Sequence, residues 1–223
     1  QMEDRSSGGS QFTMLGANLR LKGNDLRLQK FGSGTTFMFL TLAMTQNPDL
    51  TGTFEIGPSI YANITAPSTL QNVSRIDVET GGSLVTGTTG GNYFQPITLS
   101  GFGNANLVTG TSYGAIRIIA NNQTFTGGIT ITGDAGVNTS SSGTNSTGIV
   151  ISSPITDNGA NFAFHRFAFR GDGTLTLGAA NTYGGTTVLG RDLPGYTGSV
   201  TILDFTAPGS PQNTILYTGL SAP

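Results

Sequence analysis

Cysteine and tryptophan are absent from the 223 residues, and histidine occurs once. Without cysteine there is neither a disulfide framework nor a thiolate metal site, and a lone His165 excludes a histidine cluster or a two-histidine relay. Charge is scarce too: 10 % of residues are Asp, Glu, Lys or Arg, against about 25 % in soluble domains. With a net charge of −2 the chain has no field to draw it to nucleic acid or an anionic membrane surface, so no nucleic-acid partner is expected. The longest strongly apolar run, residues 37–44, is interrupted by Thr41 and falls far short of the roughly 20 residues of a membrane-spanning helix. No transmembrane segment is expected. Lys22, Arg27 and Lys30 upstream of this run imitate a signal peptide, but strand-like sequence precedes it, and a buried strand is the expectation.

Helix signals are nearly missing, because Thr, Ser, Asn and Gly interrupt every window of helical spacing. Strand signals are dense. Leu19 to Lys22 and Leu26 to Leu28 alternate around a turn at Gly23-Asn24-Asp25. Further short β-branched stretches recur, among them residues 53–56, 75–78, 97–99, 115–119, 129–131, 149–151, 175–177, 187–189 and 200–202, each bounded by Gly, Asn, Pro or Asp. Many short strands with regular turns predict a sandwich, a barrel or a solenoid.

Self-similarity separates these architectures. Residues 122–133 read NQTFTGGITITG and residues 181–190 read NTYGGTTVLG. Each has Asn, an aromatic, a glycine pair and a β-branched strand. The reading is a corner of a β-solenoid, built from Asn122, Phe125, Gly127 and Gly128 in one copy and Asn181, Tyr183, Gly184 and Gly185 in the other. The aromatic fills the interior, Asn stacks on an equivalent Asn, and the glycines take a bend that a Cβ would block. In Phe162 to Phe169 the first two and last two phenylalanines differ in parity, so burial of all four predicts a bend or bulge at His165-Arg166. A β-sandwich bulged at that point is the alternative.

Residues 151–190 resemble the autotransporter-associated β-strand repeat of large bacterial surface and secreted proteins. The resemblance rests on Ile155-Thr-Asp-Asn-Gly159 and on Gly173-Thr-Leu-Thr-Leu, continuing through Asn181-Thr-Tyr to Gly184-Gly-Thr-Thr-Val188. A residue usual between Tyr183 and the glycine pair is missing, and Phe169-Arg170 replaces a Lys-x-Gly approach. The match is fair over residues 118–137 and faint elsewhere. The resemblance implies an all-β, right-handed parallel β-helix, export to the bacterial cell surface or beyond, and a scaffold or passenger role. It carries no catalytic residues. Residues 200–220 look like the strand that opens a further repeat, the expectation for a segment of something longer.

The candidates for chemistry each have a plainer reading. His165 reads as a corner residue beside Arg166, and no Gly-x-Ser-x-Gly elbow accompanies it. Asp134, Asp157 and Asp172 supply the carboxylates that polysaccharide cleavage needs in pairs, yet each adjoins Gly or Asn in the manner of turn aspartates. Calcium held by the same turns is the one cofactor left open; otherwise none is expected. Arg20, Lys22, Arg27 and Lys30 form a basic stripe suited to an acidic glycan or subunit, or a solvated edge protected from mispairing. Asn63, Asn72, Asn122, Asn138 and Asn145 stand in Asn-x-Ser/Thr sequons, and residues 139–147 form a low-complexity loop expected to be exposed.

The expectation is a non-enzymatic, extracellular structural or adhesive β-solenoid: a scaffold, stalk or subunit of an end-to-end fibre or layer. Residues 1–46 would form an N-terminal strand segment that caps the domain or complements a neighbour, and residues 47–223 the solenoid. Self-association into a homopolymer and contact with surface glycans are the expected partners. The alternative is a carbohydrate-binding or polysaccharide-cleaving β-helix, and a third reading is a passenger displaying loops to a host receptor.

Overall fold

The computed structural model describes residues 11–14, 24–30, 37–43, 49–87, 90–104, 114–139, 146–167, 175–190 and 215–217. Strands β1 (Gln11–Met14), β2 (Leu26–Leu28), β3 (Met38–Leu42), β4 (Thr53–Ile56) and β5 (Ile60–Ile64) come first. One 3₁₀ turn, Pro67–Leu70, separates them from β6 (Arg75–Val78), β7 (Ser83–Thr86), β8 (Gly91–Tyr93) and β9 (Ile97–Gly101). Then follow β10 (Ile116–Ile118), β11 (Gln123–Phe125), β12 (Ile129–Asn138), β13 (Ile149–Ile151) and β14 (Ile155–Thr156). The last are β15 (Phe164–Phe167), β16 (Leu175–Leu177), β17 (Thr187–Gly190) and β18 (Ile215–Tyr217).

The chain is all-β, and the strands form three parallel ladders. The first runs β1-β3-β5-β7-β10-β12-β15-β17-β18, and the second runs β2-β4-β6-β9-β12-β14. Because β12 belongs to both, they make one curled 14-stranded sheet, while the third ladder, β8-β11-β13-β16, is a separate 4-stranded sheet. Parallel neighbours require crossovers, and here the crossovers are the other ladders rather than helices. From β10 onward the chain passes from first ladder to third to second and back: β10, β11 and the start of β12, then the end of β12, β13 and β14. The pairings described are parallel, whereas a β-sandwich is assembled from antiparallel sheets. Both β2 and β3, within the proposed N-terminal segment, pair with strands beyond residue 50, namely β4 and β5.

Period-two alternation places one set of residues inside. In the second ladder the inward columns are Leu26–Phe54–Ile76–Ile97–Ile129–Ile155 and Leu28–Ile56–Val78–Leu99–Ile131. In the first the column Leu40–Ala62–Leu84–Ile116–Val137 faces them. The third contributes Tyr93–Phe125–Ile151–Leu177, with the Tyr93 and Phe125 rings stacked at 5.2 Å between centroids. These residues form one continuous apolar core. Within the run at residues 37–44, Met38–Leu42 form β3, buried at Met38, Leu40 and Leu42, as a strand with one inward face must be.

The expected bend at His165-Arg166 is not there. Strand β15 pairs residue for residue with β12 and β17 straight through both positions. Phe164 is buried, Phe162 precedes the strand and packs partly against the core, and Phe169 lies outside the described residues. The chain turns earlier, at Asn161 with φ 65°, ahead of Phe162 and Phe164. The register shift falls instead in β12, between Ile131 and Ala135, where that strand leaves the second ladder for the first.

Between β9 and β10 an excursion is tied shut at its base. Asn104 Nδ2 donates to the Ile60 carbonyl at 2.7 Å and its amide to Ser83 Oγ, which donates to the Gly114 carbonyl. The outward face of the first ladder is covered there: Arg117 is 7 % exposed and donates to the Tyr61 hydroxyl at 2.7 Å.

Candidate functional site

The two glycine-pair stretches, alike in sequence, occupy different junctions. Gly127 and Gly128 lead from β11 in the third ladder to β12 in the second; Gly184 and Gly185 lead into β17 in the first. A Cβ on Gly127 would lie 2.1 Å from the Gln95 carbonyl oxygen, and one on Gly185 2.3 Å from that of Phe162. Gly128 has open space around it but takes φ +86°, a conformation that side chains resist. Phe125 and Tyr183 both point inward. The Tyr183 hydroxyl shares a hydrogen bond with that of Thr187, its ring lies 5.8 Å from that of Phe164, and burial pushes its phenol above the ordinary range.

The asparagines differ more. Asn122 is exposed at φ 56°, and its amide donates to the Thr147 carbonyl at 2.9 Å. Asn181 is buried, with Oδ1 accepting from the Ile155 amide at 2.9 Å. In neither place is the partner an asparagine.

A different recurrence marks true register. Pro96-Ile-Thr-Leu, Gly128-Ile-Thr-Ile and Pro154-Ile-Thr-Asp lie side by side in the second ladder. The Ile97 amide donates to the Gly128 carbonyl and the Ile129 amide to that of Pro154. The sequence signal was Pro or Gly before Ile-Thr, and it was overlooked because the glycine pair is the louder pattern. On the third pass Asp157 follows Thr156, where Leu99 and Ile131 follow their threonines as inward residues. Asp157 is 2 % exposed, and its carboxylate accepts from the Gly159, Phe162 and Gly184 amides at 2.9 Å each. Desolvation pushes this carboxyl up, but donation from the Gly184, Phe162, Gly159 and Asn161 backbones outweighs it and holds the group below the usual range. Asp157 therefore fastens one corner to the next pass. Asp134 behaves similarly, with Oδ1 accepting from the Ala163 amide at 2.9 Å. Both aspartates are spent on backbone, and Asp172 lies outside the described residues.

The concentration of charge is on the outward side of the second ladder, which sequence reading located only in part. Arg27 contacts Glu55 at 3.0 Å and Glu79 at 3.0 Å, and Arg75 contacts Asp77 at 2.8 Å. Desolvation, then a hydrogen bond with Glu79, pushes the Glu55 carboxyl up against the opposing pull of Arg27. A raised carboxyl beside a second carboxyl is the arrangement of a general acid, but here Arg27 spans the pair and straps neighbouring passes together. Asp25 Oδ1 accepts from the Thr53 amide at 2.8 Å. Of the remaining basic residues, Lys30 is partly buried, and Arg20 and Lys22 lie outside the described residues.

His165 stands mid-strand rather than at a corner, half-buried, its ring T-shaped to that of Phe102 with 4.7 Å between centroids. Burial draws its pKa below the ordinary value, opposed by Asp134. The sequons separate by burial: Asn138 is fully buried and Asn63 Oδ1 is enclosed, Asn72 and Asn122 are exposed, and Asn145 lies outside the described residues. Of the low-complexity loop, Thr147 is exposed, while two residues of its neck are not. Thr139 and Ser146 are buried, and the Ser146 amide donates to the Thr139 carbonyl at 3.0 Å, closing the loop's neck against the core. Among the described residues, none of the groupings of His, Asp and Glu has the makings of a metal site, and no helix is long and apolar enough to cross a membrane. Compared with protein-family models, curated proteins and solved structures, the chain matches none.

Proposed function

We propose that this chain is a right-handed parallel β-helix with a mechanical role outside the cell: a bacterial surface scaffold, stalk or subunit of a fibre or layer. The observation that carries the reading is the unbroken parallel stacking of the first ladder from β1 to β18. Arg27, Asp134 and Asp157 each join a neighbouring pass rather than open onto a cleft. A stack of passes that each touch only their neighbours is quasi-one-dimensional, and heterologous contact between copies extends it into a filament.

The test is negative-stain electron microscopy of the purified chain over a concentration series, with sedimentation velocity alongside. Ordered fibres or sheets with an axial repeat support the polymer; short isolated rods at every concentration overturn it. A polysaccharide-directed role draws on one observation, the gathering of the Glu55 and Glu79 carboxyls on Arg27. Product release from a glycan panel, lost on Glu55→Gln, would put that role in place of the mechanical one.

A further inference from the structure

The interior is apolar along most of its length, and one corner encloses several polar side chains together. Thr86 ends β7 in the column Ile64–Thr86–Ile118, whose other members are fully buried. Tyr93 ends β8 above Phe125, and Gln123 opens β11 beside Gly91. Thr86, Tyr93 and Gln123 are each 0 % exposed, so all three side chains are enclosed. They meet at Gly87: Gln123 Nε2 donates to its carbonyl over a long 3.4 Å, the Tyr93 hydroxyl lies against the backbone of the same residue, and Thr86 precedes it in the chain. Yet Thr86 Oγ1, the Tyr93 hydroxyl and Gln123 Oε1 close no hydrogen bond with the described residues.

Native interiors rarely leave such atoms unpaired, and ordered water is the usual remedy where two to four polar partners converge. The chemistry selects the ligand. Two hydroxyls donate, an amide oxygen and a backbone carbonyl accept, and no carboxylate stands among them to balance a cation. The corner is also where the third ladder begins: β8 is its first strand, and the pass before carries the 3₁₀ turn Pro67–Leu70. A turn offers no regular ladder partner, so polar groups fall out of register there. We infer that this corner is an internal solvent site, holding a water that accepts from Thr86 and Tyr93 and donates to Gln123 Oε1 and the Gly87 carbonyl.

Crystal structures of the wild-type chain and Tyr93→Phe, at a resolution that shows ordered solvent, test this directly. The expected result is a peak within hydrogen-bond distance of the Thr86, Tyr93 and Gln123 oxygens in the wild type, lost or displaced in Tyr93→Phe. Thr86→Val repeats the test should Tyr93→Phe fail to fold. A wild-type map in which the three side chains bond one another around no peak overturns the inference. So does a peak that gains anomalous signal after rubidium soaking, which would make the ligand a monovalent cation. Thermal melting gives an independent readout: a bridged hydroxyl makes Tyr93→Phe melt lower than the wild type, and a higher melting temperature contradicts the site.

Discussion

Along the outward face of the second ladder, the same position holds Arg27, Glu55 and Asp77 on three successive passes and Thr98, Thr130 and Thr156 on the next three. Beneath them the inward neighbours keep one character throughout: Leu26, Phe54 and Ile76, then Ile97, Ile129 and Ile155. The inside of a parallel stack is dictated by close packing, whereas the outside accepts any residue whose neighbours about 4.8 Å away tolerate it. In the charged half that tolerance is arranged by Arg27, which stands between Glu55 and Glu79. In the threonine half nothing need be arranged, since a β-branched side chain suits a pleated surface without a partner.

The comparison breaks if outward changes rival inward ones. Phe54→Ala beneath the charges and Ile129→Ala beneath the threonines are expected to cost about 3–5 and 2–5 kcal/mol respectively, read as lowered urea midpoints of the full chain. A much smaller loss at either position would show that half of the core to be loosely packed. Asp157→Ala comes next, at roughly 2–3 kcal/mol, because partly buried backbone amides of two passes lose a charged acceptor. Its pH dependence has a definite sign. The folded carboxyl lies below its unfolded value of about 3.9, so the stabilisation is present above that value and is lost as pH falls through the lower folded pKa. An acid-unfolding curve that Asp157→Ala leaves unshifted would remove Asp157 as the clamp.

Smaller effects sharpen the contrast. Arg27→Ala is expected to cost under about 1 kcal/mol, falling further in high salt, since an exposed ion pair is screened; a large or salt-independent loss would mark the strap as a packing element. Glu55 works the other way from Asp157: its folded carboxyl is raised, so its contribution is most favourable below the unfolded pKa and declines as pH rises through the folded one. Glu55→Thr, which imports the residue of the later passes, should therefore be neutral or slightly stabilising at neutral pH. Thr130→Ala should stay within about 0.5 kcal/mol, the smallest effect of the set.

How far the sequence was legible varies with the range of the forces involved. Strand β3 and the inward residues of β4 and β6 follow from local alternation, and all were readable. The pairing of passes was not. Tyr61 lies beside Ser83 while Leu84 lies beside Ile116, because an excursion lengthens one pass and not its neighbour. Unequal passes hide a repeat from any fixed-period comparison, which is why Asn122 and Asn181 looked equivalent and are not. Arg27 was read as part of a basic stripe, since its partners Glu55 and Glu79 are remote in sequence.

By itself the sequence determined an all-β chain of short strands, poor in charge, with apolar residues at alternate positions and glycine where a bend comes close to backbone. Those properties depend on neighbours a few residues away. Only the tertiary structure decided that the ladders are parallel, that Pro-Ile-Thr and Gly-Ile-Thr share a column, and that Asp157 points inward to bind the amides of a later corner. It also decided which outward charges meet. Each depends on which remote segment is stacked beside a strand, and that follows from packing whole passes of unequal length against one core.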